Sequence, residues 1–248
     1  MSEVVFVGTS DAFGAGGRRQ SAIVLRGASG TLLLDCGATT GSGLHHLGIA
    51  IDELDAILIS HFHGDHFGGV PLLLLAALYE DERKRPLWIA GPPGVEARVR
   101  RLAASMGHDL DGRKWTFPIT FEDLPAGRRC EVGPARVQSF ETHHSPDAIP
   151  HGLRIDAGGP KIAYSGDTGW FDALPEHIAG SDLFICECTY RHNDQDGFDY
   201  HLSHDQLCEH RARFDCGRMV ITHLGEEMSD RRESSEFEAA DDGLVLKL

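Results

Sequence analysis

The decapeptide SHFHGDHFGG, residues 60–69, places His61, His63, Asp65 and His66 within six positions, directly behind the apolar run 56–59. Imidazole nitrogens and carboxylate oxygens of this kind suit zinc, and also iron or manganese. If the apolar run is a buried strand, His61 and His63 leave it two apart and can face the same way. Gly64, Gly68 and Gly69 let the backbone turn where the strand ends, and Asp65 and His66 fall within that turn. The spacing therefore offers donors for two adjacent ions, His61 with His63 and Asp65 with His66. A polar cap of solvated histidines is the plain alternative, and four ligand-type residues crowded behind an apolar run weigh against it. One cluster cannot fill two coordination shells, so other strand ends must carry further donors.

Positioning such donors takes a strand-rich frame. Residues 3–7 read as a strand, followed by a glycine-rich loop over 8–20. Residues 21–27 and 30–37 form a strand pair around a turn at 28–30. The pattern of 67–80 predicts a helix with Pro71 in its first turn, and 85–91 a short strand. Pro92-Pro93 opens a second helix that Gly107 closes. Strands return at 114–123, 135–142, 151–157 and 161–167, then a short helix at 169–179 and a strand at 181–190. An amphipathic helix follows Ser203, a good N-cap, and strands at 218–223 and 243–248 complete the chain. With no repeat and no linker, residues 1–248 read as a single layered α/β domain.

Hydrophobic residues make up 41% and charged residues 25%, the profile of a soluble globular chain. No apolar run approaches the roughly 18 residues of a membrane span. The start, MSEVVFVG, lacks the basic region and apolar core of a secretory leader, so a cytoplasmic location is expected. Lys and Arg number 23 against 38 Asp and Glu, a net charge of −15 that disfavours a long polyanion such as RNA. Bound divalent ions would offset part of that charge locally. The six cysteines, 36, 130, 186, 188, 208 and 216, form no CxxC pair and read as reduced thiols.

The segment HFHGDH, residues 61–66, matches the HxHxDH signature of the metallo-β-lactamase superfamily, and the chain resembles that superfamily over nearly its whole length. Further motifs recur in order: Asp35 in LLLDCG, the pair His143-His144 in ETHHSP, Asp167 in YSGDTG and His223 in VITHLG. The resemblance implies an αββα sandwich, two mixed β-sheets flanked by helices. It implies that His61, His63 and His144 bind one metal ion and Asp65, His66 and His223 a second, with Asp167 bridging. Asp35 would support the metal-binding loop. His144, the histidine followed by Ser-Pro, is favoured over His143, which becomes a supporting or surface residue. Two divalent ions, zinc foremost with manganese or iron as alternatives, would hold a metal-bridging hydroxide and lower its pKa toward neutrality. Zinc lactamases often carry cysteine at the bridging position, and Asp167 argues against that group.

Within the superfamily the chain is similar to ribonuclease Z and related phosphodiesterases. The opening loop VGTSDAFGAGGRRQSA and the segment LWIAGPPGVE carry part of this likeness. CECTY and YHLSHDQL carry the rest, since they match a Glu–His dyad at Glu187 and His201. The dyad histidine would protonate the leaving alkoxide or stabilise phosphoryl charge, with the glutamate orienting it. Asp65, Glu187 and His201 are thus the expected catalytic residues, with His204 a competitor for the place of His201. Ribonuclease Z carries a long arm that grips tRNA, usually just before the aspartate motif; here only the turn AGGP lies there. Arg18 and Arg19 are candidates to touch a substrate phosphate, with solvated loop arginines as the alternative. Arg98, Arg100 and Arg101 read as a solvated helix face.

The expected protein is an enzyme, a dinuclear metal-dependent hydrolase of a small phosphodiester such as a cyclic nucleotide or a nucleotide ester. The alternatives are a hydrolase of lactones, thioesters or lactams, and a ribonuclease Z-like RNA-processing nuclease without its arm. A redox role like that of the flavodiiron relatives is disfavoured by His63, where that group typically has glutamate. A non-catalytic scaffold is disfavoured by the complete ligand set. The expected partner is a small molecule, with tRNA disfavoured and no membrane, and relatives on this branch are often dimers, which allows a homodimer.

Overall fold

Leu32, Leu33 and Leu34 are all fully buried, and so are Ala56, Ile57 and Leu58. Consecutive buried residues on a strand mean that both of its faces are covered, as in a sheet packed between helices and a second sheet. The computed structural model, which describes residues 2–193 and 199–248, has this architecture.

The first sheet contains β1 (Glu3–Gly8), β2 (Ala22–Arg26), β3 (Thr31–Leu34), β4 (Ala56–Leu58), β5 (Leu87–Gly91) and β6 (Ile119–Asp123). The second contains β7 (Arg129–Val132), β8 (Ala135–Glu141), β9 (His151–Asp156), β10 (Ile162–Tyr164), β11 (Ser181–Glu187), β12 (Cys216–Thr222) and β13 (Glu238–Ala239). The last strand, β14 (Val245–Lys247), returns to pair with β1, which gives the orders β14-β1-β2-β3-β4-β5-β6 and β13-β12-β11-β10-β9-β8-β7. Helices α1 (Thr40–His46), α2 (Gly64–Phe67), α3 (Val70–Tyr79) and α4 (Val95–Ser105) follow strands of the first sheet, and α5 (Leu174–Ile178), α6 (His204–His210) and α7 (Glu226–Asp230) those of the second.

Three apolar clusters give the layers. Leu32, Leu34 and Leu58 meet Leu153, Ile185 and Val220 between the sheets. Leu73, Leu74 and Val99 seal the outer face of the first sheet, and Leu174, Leu207 and Met228 that of the second. The chain is therefore the αββα sandwich expected of it. No helix among the described residues is long and apolar enough to cross a membrane.

Some elements depart from expectation. The helix expected over 67–80 starts at Val70, because Gly68 and Gly69 break it from the short α2; Pro71 sits in its first turn as expected. Strand β7 and helix α1 carry weak local signals, the first charged at alternate positions and the second holding two glycines, so only tertiary contacts form them. The helix over 169–179 shrinks to α5.

The parallel pairs β3–β4 and β10–β11–β12 end on one edge of the sandwich, with Leu34 beside Leu58, Tyr164 beside Ile185 and Glu187 beside Thr222. Asp35, Ser60, Asp167 and His223 follow those strand ends at once. The loops interlock: the Cys36 amide donates to the His66 carbonyl at 2.6 Å and the Gly69 amide to the Cys36 carbonyl at 2.8 Å. Gly37 sits so close that an added Cβ would lie 2.3 Å from the Asp65 carbonyl oxygen and 2.7 Å from Gln20 Cβ. Backbone cannot yield as a side-chain tip can, so Gly37→Ala should destabilise the fold by about 2 kcal/mol through displacement of the 61–66 loop. Urea denaturation would show it, and a variant as stable as the parent would refute the account.

Candidate active site

Each donor arrives by a short route from a rigid strand. His61 follows β4 by three residues and is fully buried; His63 immediately precedes α2 with extended backbone, φ −81° and ψ 150°; Asp65 and His66 lie in α2. His144 comes from the segment after β8, Asp167 from the turn after β10, and His223 from the residue after β12.

Two donor groups result. His61 Nε2 and His144 Nε2 each lie 3.1 Å from His63 Nδ1, and Asp167 Oδ2 lies 3.6 Å from His61 and 3.8 Å from His144. His66 Nε2 lies 3.2 Å from both Asp65 Oδ2 and Asp167 Oδ1, and His223 Nε2 lies 3.3 Å and 3.5 Å from the same oxygens. Asp167 thus turns one oxygen to each group.

Hydrogen bonds behind the rings decide which nitrogen faces inward. His61 Nδ1 meets Ser60 Oγ at 3.0 Å, His66 Nδ1 meets Asp35 Oδ2 at 2.7 Å, His144 Nδ1 meets the Tyr200 carbonyl at 2.8 Å, and His223 Nδ1 meets Thr189 Oγ1 at 2.8 Å. Each Nδ1–H donates outward, so Nε2 is the nitrogen turned toward the centre, the orientation metal-binding histidines adopt. Asp35 anchors this shell, since it also accepts from the Ser60 amide, the Ser60 hydroxyl and the Tyr164 hydroxyl at 2.7, 2.9 and 2.7 Å.

The charges are those of a site built for cations. Burial, reinforced by His66, pushes the His61 imidazole well below its ordinary range, and burial also lowers His63 and His144. For His66 burial works the same way but is overcome by Asp167, Asp65 and Asp35, which hold it well above the usual value. Burial would raise Asp167, yet His223, His66 and His61 keep it well below the carboxylate range. His66 Nε2 and Asp167 Oδ1 are buried without a hydrogen bond, a costly state that a cation between them would relieve. The donor set, imidazole and carboxylate with no thiolate, fits zinc, manganese or iron.

Beside these groups lies the expected dyad. His201 Nδ1 is 2.8 Å from Glu187 Oε1, and the His201 ring stacks on His223 with centroids 5.4 Å apart. Glu187, 1% exposed, also accepts from the amides of Thr168, Thr189 and Leu202. Burial opposes a charge on His201, but Glu187 and then Asp167 raise its pKa to about 9. His204, the competitor, points elsewhere, toward Glu236.

Other expectations fall differently. His143 lies at the surface against Asp199, 3.1 Å away, outside both donor groups. Arg18 and Arg19 do not line the cavity at the site. The Arg18 guanidinium bonds Asp241 and Ser229, and Arg19 donates to the Val7 carbonyl and pairs with Asp242, so both fasten the glycine loop to the C-terminal segment. Sequence reasoning missed Ser60, Tyr164 and Thr189. The last lies two residues past Glu187 and donates to its carboxylate at 3.0 Å while accepting from His223.

The metallo-β-lactamase fold protein YhfI of Bacillus subtilis superposes with a TM-score of 0.80 at 21% identity, over 99% of this chain and 98% of that one. Human tRNase Z, short form (ELAC1), superposes with a TM-score of 0.78 at 24% identity, over 99% and 98%. Ribonuclease Z of Mycobacterium bovis (strain BCG) is 25% identical over 240 residues, 90% of this chain and 86% of its own length. Fold, donor clusters and relatives together define a metal-dependent hydrolase of the metallo-β-lactamase fold. Within that class, the chain belongs to the family described as anti-Pycsar protein Apyc1, whose profile matches residues 2–240.

Asp35→Asn should weaken metal binding about 10- to 100-fold by loosening the His66 tautomer, read by competition with a chelator; unchanged affinity would remove Asp35 from this role. Because the His201 pKa is raised, its proton is held at neutral pH and lost only as pH climbs toward about 9. Glu187→Gln should therefore move the alkaline limb of the pH–rate profile down toward about 6.5, the ordinary histidine value. A limb that stays in place would assign it to another group.

Proposed function

We propose that the protein hydrolyses a small phosphodiester, a cyclic nucleotide or nucleotide ester, with two divalent ions, zinc foremost. His61, His63 and His144 hold one, Asp65, His66 and His223 the other, and Asp167 is shared. Such a pair would supply Lewis-acid activation of the attacking water and would neutralise charge on the phosphoryl oxygens.

The observation that carries the choice of bond is the Glu187–His201 pair at 2.8 Å. A protonated imidazole beside the metal donors serves a poor alkoxide leaving group, as phosphodiester cleavage requires. Glu187 fixes the ring through Nδ1 and keeps the proton available.

The cavity supports a small substrate. It encloses about 670 Å³ and is lined by Asp11, Glu226 and Glu227, with Arg191 the only arginine or lysine among the described lining residues. Strands β9 and β10 are joined directly through residues 157–161, with no inserted arm. An acidic rim repels a long polyanion, which weighs against tRNA. Phe13, 94% exposed, stands with Tyr190 and Tyr200 at the rim and offers faces on which a base can stack.

The test is a metal-loaded panel of cyclic nucleotides, nucleotide esters and bis-p-nitrophenyl phosphate beside thioesters and lactones. Turnover of the phosphodiesters is expected. His201→Ala should slow alkoxide-releasing substrates about 10²- to 10⁴-fold, and bis-p-nitrophenyl phosphate far less, because nitrophenolate leaves without an acid. Acyl turnover without phosphodiester turnover would sink the proposal.

A further inference from the structure

Helix α6 carries a second constellation that the proposed reaction does not use. His204 and Cys208 stand four residues apart, on one face of the helix. Glu236, from the segment before β13, reaches the same place. His204 Nδ1 lies 3.5 Å from Cys208 Sγ, His204 Nε2 lies 2.8 Å from Glu236 Oε2, and that oxygen lies 4.0 Å from the sulfur. Imidazole, thiol and carboxylate together offer one donor atom each within 4.8 Å of one another. His204 is 1% exposed, and its buried Nε2 forms no hydrogen bond of proper direction even with Glu236 so close.

We propose that His204, Cys208 and Glu236 form a further metal site, distinct from the candidate catalytic centre, for a thiophilic divalent ion of the zinc class. Bonds of about 2.0–2.3 Å to nitrogen, oxygen and sulfur place tetrahedral donors roughly 3.3–3.7 Å apart. One ion can use only one ring nitrogen of His204, so binding through the unpartnered Nε2 beside Glu236 would require the exposed Cys208 side chain to rotate away from Nδ1 toward it; the three donors lie within 4.8 Å of one another. Burial keeps the His204 imidazole neutral, the form that offers a lone pair. Burial and Glu236 raise the Cys208 thiol, so ion binding releases its proton. Arg191 and Arg211 add two unfavourable charges nearby, and Asp205 offsets part of them.

The site has a structural consequence. The His204 amide donates to the Tyr190 carbonyl at 2.8 Å, and His201 lies just before the N-cap Ser203. An ion here clamps α6 to the 235–237 segment, and with it the chain that carries His201.

Cobalt(II) loading tests this independently of the catalytic reading, because the candidate catalytic donors are all nitrogen and oxygen. A thiolate-to-cobalt charge-transfer band in the near ultraviolet is expected in the parent. It should vanish in Cys208→Ser, whose metal content should fall by one ion per chain, and weaken in Glu236→Gln. A parent without the band, or a band that survives Cys208→Ser, would overturn the proposal. Failure of phosphodiester turnover would leave this readout untouched.

Discussion

The carboxylate of Asp35 is the contact on which the candidate site depends. Fully buried, it gathers hydrogen bonds from the backbone and side chain of Ser60, from His66 and from Tyr164. These partners belong to the ends of β4 and β10 and to α2, so one charge locks both sheets and the motif loop into a common register. Its backbone sits at φ 55°, a strained conformation for a residue with a side chain, and His223 sits at φ 56°. Strain at two points of one site persists only where the surroundings over-determine it. Here that determination is the buried network itself.

The same network turns a set of histidines into a set of inward-facing ring nitrogens. Ser60, Asp35, the Tyr200 carbonyl and Thr189 each take the proton of one ring. Thr189 also touches Glu187, so the hydrogen bonds behind His223 and behind His201 meet at one carboxylate. The candidate metal donors and the Glu187–His201 pair are therefore positioned by shared parts.

How much of this was legible in the sequence follows from how local each signal is. The cluster His61–His66 announces itself because its spacing and the apolar run before it are contiguous. Buried strands alternating with helices point only to layered α/β packing; the αββα order came from the resemblance to the metallo-β-lactamase superfamily. The partners Ser60, Tyr164 and Thr189 were invisible, since only strand register brings Tyr164 to a residue 129 positions away. His143 and His144 differ by the alternation of extended chain: the first bridges to Gly169 and faces outward, the second faces the donors. For Arg18 and Arg19 the sequence left a phosphate contact and solvated loop arginines both open, because paired arginines beside a glycine loop suit either. The acidic residues that claim them, Asp241 and Asp242, lie more than 220 positions away.

The chain passes from one sheet to the other between β6 and β7 and returns only for β14. His61, His63, Asp65 and His66 stand on the first side of that crossing, and His144, Asp167 and His223 on the second. Neither half holds a complete donor set, and the two oxygens of Asp167 reach across the seam to both groups. An ion seated there would work as a fastener between two pieces of protein. The crossing at residues 124–128 is accordingly the natural place to divide the chain into fragments, whose reunion the metal itself would drive and report.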